Sequence, residues 1–182
     1  MIKRTPIGRN KSKAQQYLKD AIQQKAEGFV VQAANSIRLA LVLDPENEEM
    51  KVFAQTVQPK AADIRAEKEY KRGQGAESMG RSEEALSAYR RAIEASPTDA
   101  RSFHGAANLL LDLNRDLREA AGFCREARRL EPDNDKVRLT LGQLFIKLGM
   151  KKNALRELTA YVATQPLDEY AGRVLRDLKK AM

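Results

Sequence analysis

Four prolines, Pro45, Pro97, Pro132 and Pro166, each close a stretch of related pattern, and they constrain the fold more than any other feature of the chain. They are separated by 52, 35 and 34 residues. Twelve positions before each proline stands an alanine: Ala33, Ala85, Ala120 and Ala154. Four residues after each alanine come Ile37, Tyr89, Cys124 and Leu158, and seven after come Ala40, Ala92, Ala127 and Tyr161. Residues spaced by four and by seven share one face of a helix. Two small residues on that face admit a neighbouring helix closely, and the larger residue between them fills the gap. Proline then ends the helix, because it supplies no N–H and its ring excludes the preceding turn. Each unit is therefore expected to be a helix pair with an enforced stop, repeated along the chain.

Composition agrees with an all-α chain. Hydrophobic residues make up 42% and charged residues 32% of the 182, whereas aromatics reach only 5% and tryptophan is absent. That balance suits amphipathic helices better than a sheet rich in β-branched and aromatic residues. No apolar run reaches the length of a membrane span, and the single Cys124 has no disulfide partner within the chain. The expectation is a soluble, cytoplasmic, unprocessed protein.

The repeat resembles the tetratricopeptide repeat (TPR) family, whose unit of roughly 34 residues carries a W-x2-L-G-x2-Y, A-x3-F, P pattern. The first half of that pattern is best matched by Leu141, Gly142, Phe145 and the turn residue Gly149. Looser matches are Phe103, Ala106, Ala107 and Leu110 in the third unit, Gly73 with nearby Tyr70 in the second, and Tyr17 and Ala21 in the first. The resemblance covers about residues 14 to 182 and implies a right-handed superhelical array of antiparallel helix hairpins with a C-terminal capping helix. The related 35-residue pentatricopeptide repeat, which reads RNA, fits less well, since the Ala, Ala and Pro positions are filled here apart from Tyr161 in the last unit.

The irregularities define the expected domains. Residues 1–13 hold Lys3, Arg4, Arg9, Lys11 and Lys13 with no acid, a basic flexible leader that supplies five of the eight net positive charges. The remainder, at about +3, is too weakly basic to argue for a nucleic-acid-binding body. Residues 14–57 are expected to form an N-terminal hairpin plus an unpaired helix, because the 52-residue spacing exceeds one period by 18. Two geometries compete at Pro59, a bent continuous helix and a break; a break or kink acting as a hinge is favoured, followed by a body of three hairpins over 60–182. Residues 167–181 are read as the cap, with Tyr170, Val174, Leu175 and Leu178 on its packed face. Tyr161 in place of alanine suggests that the last hairpin packs on something other than a standard repeat. Asn114 replaces the family's turn glycine, and asparagine tolerates the left-handed conformation.

The chain has little with which to do chemistry. His104 is its one histidine, Cys124 occupies a packing slot, no phosphate-binding loop is present, and no catalytic residue, metal set or cofactor is expected. A non-catalytic interaction adaptor or scaffold remains. In the family the first helix of each unit lines a concave groove, and by that resemblance the partner-binding positions are Lys19, Ile22, Tyr70, Lys71, Gln74, Arg101, His104, Asn108, Lys136, Leu139, Gln143 and Lys147, with Gln15, Leu18, Glu67, Gly105 and Thr140 on the same register. Cationic and amide side chains dominate, which suits an acidic peptide or protein partner. The clamp by which one family subset holds chaperone C-termini, Lys-x3-Asn, Asn, Lys-x3-Arg, is not matched: Lys71 lies three before Gln74, Asn108 is displaced, and neither Arg101 nor Lys136 is followed by a base at +4. Two other readings stay open, a nucleic-acid or anionic-surface binder working through the basic tail, and an assembly or chaperone-like factor for a secretion, pilus or motility complex. Oligomeric state is left open as well.

Overall fold

A computed structural model describes residues 6–181, with side chains from residue 10 onward. Lys3 and Arg4 of the basic leader, and the side chain of Arg9, lie outside the described residues. Nine helices make up the described chain: α1 Pro6–Ala26, α2 Val30–Leu43, α3 Glu48–Ser78, α4 Ser82–Ala95, α5 Ala100–Asp112, α6 Leu117–Leu130, α7 Asp135–Lys147, α8 Lys151–Thr164 and α9 Glu169–Lys180. The fold is all-α, a TPR-type solenoid of helix hairpins with α9 at its end. Helix α1 starts at Pro6, so residues 6–13 are helical where the sequence reading places a flexible leader.

Two kinds of turn alternate, and each has a local cause. Within a hairpin the turn contains a left-handed residue: Gly28 at φ 86°, Gly80 at 72°, Asn114 at 51° and Gly149 at 71°. Asn114 thus does what its place in the period predicts. In three hairpins the second helix begins two residues after the left-handed one; after Asn114 it begins three residues later. The extra residue of the third unit is absorbed there, and Asp116 takes a left-handed φ of 44° to do so.

Between hairpins the turn is written by proline. Asp44, Ser96, Glu131 and Gln165 cap the preceding helices and precede Pro45, Pro97, Pro132 and Pro166. Their φ values run from -122° to -143°, the non-helical region to which a following proline confines a residue. Two residues after each proline stands a side chain that caps the next helix. Asn47 accepts from Met50 N, Asp99 from Arg101 N, Asn134 from Lys136 N and Val137 N, and Asp168 from Ala171 N. One dipeptide spacing therefore stops one helix and starts the next.

The chain divides into two compact units, residues 1–65 and 66–182, with α3 contributing to both. In the first, Ala33, Ile37 and Ala40 of α2 pack with Ala14, Leu18 and Ala21 of α1 and with Met50, Ala54, Val57 and Ala61 of α3. In the second, Ala85, Tyr89, Ala120, Cys124, Ala127, Ala154 and Leu158 lie in one continuous core with Leu110, Leu141 and Phe145, and Ala92 is likewise fully buried. The period thus reads out as burial. Helix α3 does not end at Pro59, where a break is expected from the sequence. Pro59 and Gln55 are both exposed, so water can take the backbone carbonyl left without its proline donor.

Three glycines explain how closely the second unit packs. A Cβ on Gly73 would meet Tyr89 Cε1 at 2.6 Å, one on Gly105 would meet the same ring at 3.0 Å, and one on Gly142 would meet Leu158 at 2.8 Å. Gly73 weakens helix propensity, yet it is the position at which the Tyr89 ring lies against α3. At the far end Tyr161 is buried and its hydroxyl donates to Asp168 Oδ2 at 2.7 Å, joining α8 to the cap of α9. Helix α9 buries Ala171, Leu175 and Leu178, which share an i, i+4, i+7 seam. Tyr170, expected on the packed face, is 53% exposed, with Arg173 beside its ring.

Candidate functional site

Helices α3, α5 and α7 are the first helices of the three hairpins in the second unit, and their side chains line a cavity of about 580 Å³. Tyr70, Gln74, Arg101, His104, Asn108 and Lys136, six of the sequence-selected positions, come together there. Glu77, Ser78, Tyr89, Asn134 and Gly105 complete most of the wall.

One end of the cavity is braced by ions. Arg101 pairs with Asp99 at 2.9 Å and with Glu67 at 2.8 Å, and its guanidinium lies 5.1 Å from the centre of the Tyr70 ring. Lys71 pairs with Glu67 at 3.2 Å. Lys71 and then Arg101, each hydrogen-bonded to the Glu67 carboxylate, hold its pKa below the usual range. The cationic character expected of this end is thus largely answered by the protein's own acids. Tyr70 accepts from Gln74 at 3.2 Å, and burial raises the pKa of its phenol. Tyr89 donates to Glu77, and burial followed by that carboxylate pushes its pKa up strongly.

The centre is a polar relay. His104 Nε2 and Thr140 Oγ1 are 3.0 Å apart, and Thr140 donates in turn to Asn108 Oδ1 at 3.5 Å. Burial, and then the charge of Lys136, lower the pKa of His104. The Lys136 ammonium has no carboxylate partner among the described residues. It is the cation of this cavity left free for a ligand, because a solvated ammonium can exchange water for a carboxylate without breaking an existing pair.

The remaining positions separate. Gln143 and Lys147 line a second, smaller cavity of about 330 Å³ with Leu111, Asp112, Ile146, Tyr170 and Val174, and Lys147 also donates to Asn114 Oδ1 at 2.8 Å. Leu139 is half-buried against the core. Lys71 is exposed on α3 outside the wall of the larger cavity. Lys19 and Ile22 are exposed on α1 in the first unit, whereas Leu18, mapped to the groove from the sequence, is 3% exposed and belongs to the core.

Glu77 and Asn134 were missed as wall residues. Both had a signal: Glu77 stands at the twelfth position of its unit, and Asn134 stands two residues after Pro132. Among the described residues no group of three or more His, Cys, Asp or Glu is placed to hold a metal, and no helix is long and apolar enough to cross a membrane. Cys124 is fully buried, its Sγ donates to the Val137 carbonyl at 3.4 Å, and burial raises the thiol pKa to about 12. Such a thiol packs rather than reacts.

Residues 113–178 and 70–99 match the family described as Tetratricopeptide repeat. The two segments together span more than half of the chain. No curated protein sequence matches it. Among solved structures, the Arabidopsis OM64 TPR domain is 21% identical with a TM-score of 0.63, covering 66% of this chain and 99% of that one. The second TPR domain of human RPAP3, solved in complex with the HSP70 peptide SGPTIEEVD, is 24% identical with a TM-score of 0.58, covering 66% and 98%. The TPR2B domain of yeast Sti1, in a pHsp70 complex, is 23% identical with a TM-score of 0.52, covering 64% and 92%.

Proposed function

The chain belongs to the tetratricopeptide repeat family, and from that premise we propose that it is a non-catalytic protein–protein interaction adaptor that holds a partner segment in the α3, α5 and α7 groove of its second unit. The observation that carries this reading is the composition of the groove wall. Gln74, Asn108 and Asn134 present amides that each keep an N–H to donate to an extended peptide backbone, and the Gln74 oxygen can accept as well, whereas the oxygens of Asn108 and Asn134 already accept from Thr140 and from the first N–H groups of α7. Lys136 adds one unpaired positive charge beside the His104 relay. An acidic side chain or a C-terminal carboxylate of the partner is proposed to sit at Lys136.

One of the neighbours above, the second TPR domain of human RPAP3, is solved with a chaperone peptide ending in EEVD, which supports a peptide as the ligand class. The chaperone clamp itself is not the proposed mode. Arg101 is committed to Asp99 and Glu67, and the residue four after Lys136 is Thr140, which bonds within the protein. Recognition is therefore proposed to rest on one cation and several amides, with a carboxylate bound by a single charge-assisted contact.

Selection of a displayed random peptide library on the full chain tests this reading. Enriched sequences should carry Asp, Glu or a free C-terminus at one fixed position, and Lys136→Glu should cut their affinity by about tenfold or more while the circular dichroism melt stays in place. Saturable peptides with no acid preference, or equal affinity for Lys136→Glu, would overturn the assignment of Lys136.

A further inference from the structure

The first unit contains a cavity of different chemistry. Between α2 and α3 a space of about 440 Å³ is lined by Ala34, Asn35, Arg38, Gln58, Ala62 and Arg65. Two guanidiniums and two carboxamides face it, and no carboxylate lines it. This departs from the habit of arginine elsewhere in the chain. Arg72, Arg90, Arg91, Arg101 and Arg115 are each paired with a Glu or Asp across or along the helices. Helix α2 carries no acid at all over Val30–Leu43. Arg38 has no hydrogen-bond or ion-pair partner among the described residues. Arg65 has one contact there, a bond from its guanidinium to Asn35 Oδ1 at 2.8 Å.

That one contact organises the site. It occupies the oxygen of the Asn35 amide and leaves its NH2 group as a donor, and it fixes one arginine fork on α3 beside α2. Ala34 and Ala62 are the smallest side chains that could stand in the wall, so a ligand atom can come close to the helix surfaces. Two like charges face one concavity whose lining holds no carboxylate, an arrangement that an entering anion relieves.

We propose that this cavity binds a phosphate monoester dianion, with Arg38 and Arg65 supplying the charge and Asn35 and Gln58 donating to the remaining oxygens. The donor set matches this class better than a carboxylate. Two arginine forks and two amides offer more N–H groups than two carboxylate oxygens can use, whereas a phosphate monoester presents three acceptor oxygens and about -1.5 to -2 charges at neutral pH. The cavity is larger than a phosphate group, which leaves room for the residue or small molecule that bears it. The proposal uses only residues of the first unit and is independent of the peptide groove.

The test is a titration of the ¹⁵N-labelled full chain with inorganic phosphate, with acetate, and with a phosphoserine peptide alongside its unphosphorylated twin, all at one ionic strength. Saturable shifts of the Arg38 and Arg65 Nε and the Asn35 and Gln58 side-chain signals are expected with phosphate, with acetate at least about tenfold weaker. Arg38→Gln should weaken phosphate by about tenfold or more, and it breaks no bond within the protein, so loss of fold cannot explain the loss of binding. Arg38→Lys should also weaken it, because an ammonium lacks the fork. A phosphopeptide that binds more tightly than inorganic phosphate, with a silent twin, supports the site and places the phosphate on a protein partner. Equal or weaker phosphopeptide binding supports the site for a small phosphate. No saturable phosphate binding, acetate binding as tight as phosphate, or an unaffected Arg38→Gln would each overturn the proposal.

Discussion

Two glycines two residues apart on α3 should respond to the same substitution with opposite sign. Gly73 and Gly75 both lie inside the helix Glu48–Ser78, where alanine is favoured over glycine by about 1 kcal/mol. A Cβ on Gly75 meets nothing within 4 Å, so Gly75→Ala should stabilise the second unit by about 0.5–1 kcal/mol. A Cβ on Gly73 would stand 2.6 Å from Tyr89 Cε1 and 2.7 Å from Cδ1. The ring has no easy retreat: Tyr89 is 2% exposed, its hydroxyl is held by Glu77, and its other side lies against Gly105. Overpacking of this kind costs about 1–3 kcal/mol, and a rigid, doubly held ring belongs near the top of that range. Subtracting the propensity gain leaves Gly73→Ala destabilising by about 1–2 kcal/mol. Because the chain contains two units, global melts are a poor gauge, and native-state hydrogen exchange of amides in residues 66–95 is the suitable assay. Protection there should fall in Gly73→Ala and rise in Gly75→Ala. Tyr89→Leu in the Gly73→Ala background should recover part of the loss, since it removes the clashing ring atoms. If Gly73→Ala is as protected as Gly75→Ala, the close approach of Tyr89 to α3 is refuted.

Three further outcomes are expected from the contacts of Tyr161, His104 and Cys124. Tyr161→Phe removes the hydroxyl that donates to Asp168, so amides of α9 should exchange faster while those of α5 and α6 do not change. Asp168 has a lowered pKa, first because Ala171 N donates to it and then because Tyr161 does; its contribution is present above the unfolded carboxylate value of about 4 and is lost as pH falls through the lower folded value, a loss that should begin at higher pH in Tyr161→Phe. His104 should titrate below an ordinary histidine by NMR, because it is buried and then because Lys136 is near, and Lys136→Gln should raise its pKa; since the fold favours neutral imidazole, this contribution is full above about pH 6.5 and declines as pH falls towards the folded value. Cys124, with its thiol at about 12, should resist iodoacetamide at pH 8 in the folded protein and react in urea, and rapid modification of the native chain would contradict its burial.

The period of alanine, large residue, alanine and proline is a local code, and it carried most of the fold. Ala85, Tyr89 and Ala92, or Ala120, Cys124 and Ala127, are buried because residues at i, i+4 and i+7 must face one way on any helix, and the proline stops act within a few bonds of themselves. The left-handed Asn114 was legible for the same reason. Pro59 does not break α3, because a proline's effect depends on where its orphaned carbonyl points, and on the exposed side of α3 the helix runs on.

The groove was legible only as a list of positions. Register along the first helices indicated that Gln74, His104, Asn108 and Lys136 belong to one surface, and they do line one cavity. Which of its cations is available was decided by tertiary neighbours. Arg101 and Lys71 share Glu67 across α3 and α5, whereas Lys136 has no ion-pair partner among the described residues, and no spacing rule distinguishes the three. The same holds for Arg38 and Arg65, unremarkable 27 positions apart, which become one cationic concavity when α2 lies beside α3. Helix identity, caps and core faces follow from interactions a few residues long, so the sequence by itself determined them. The state of each charge depends on side chains brought together from distant positions by packing, and that only the tertiary structure decided.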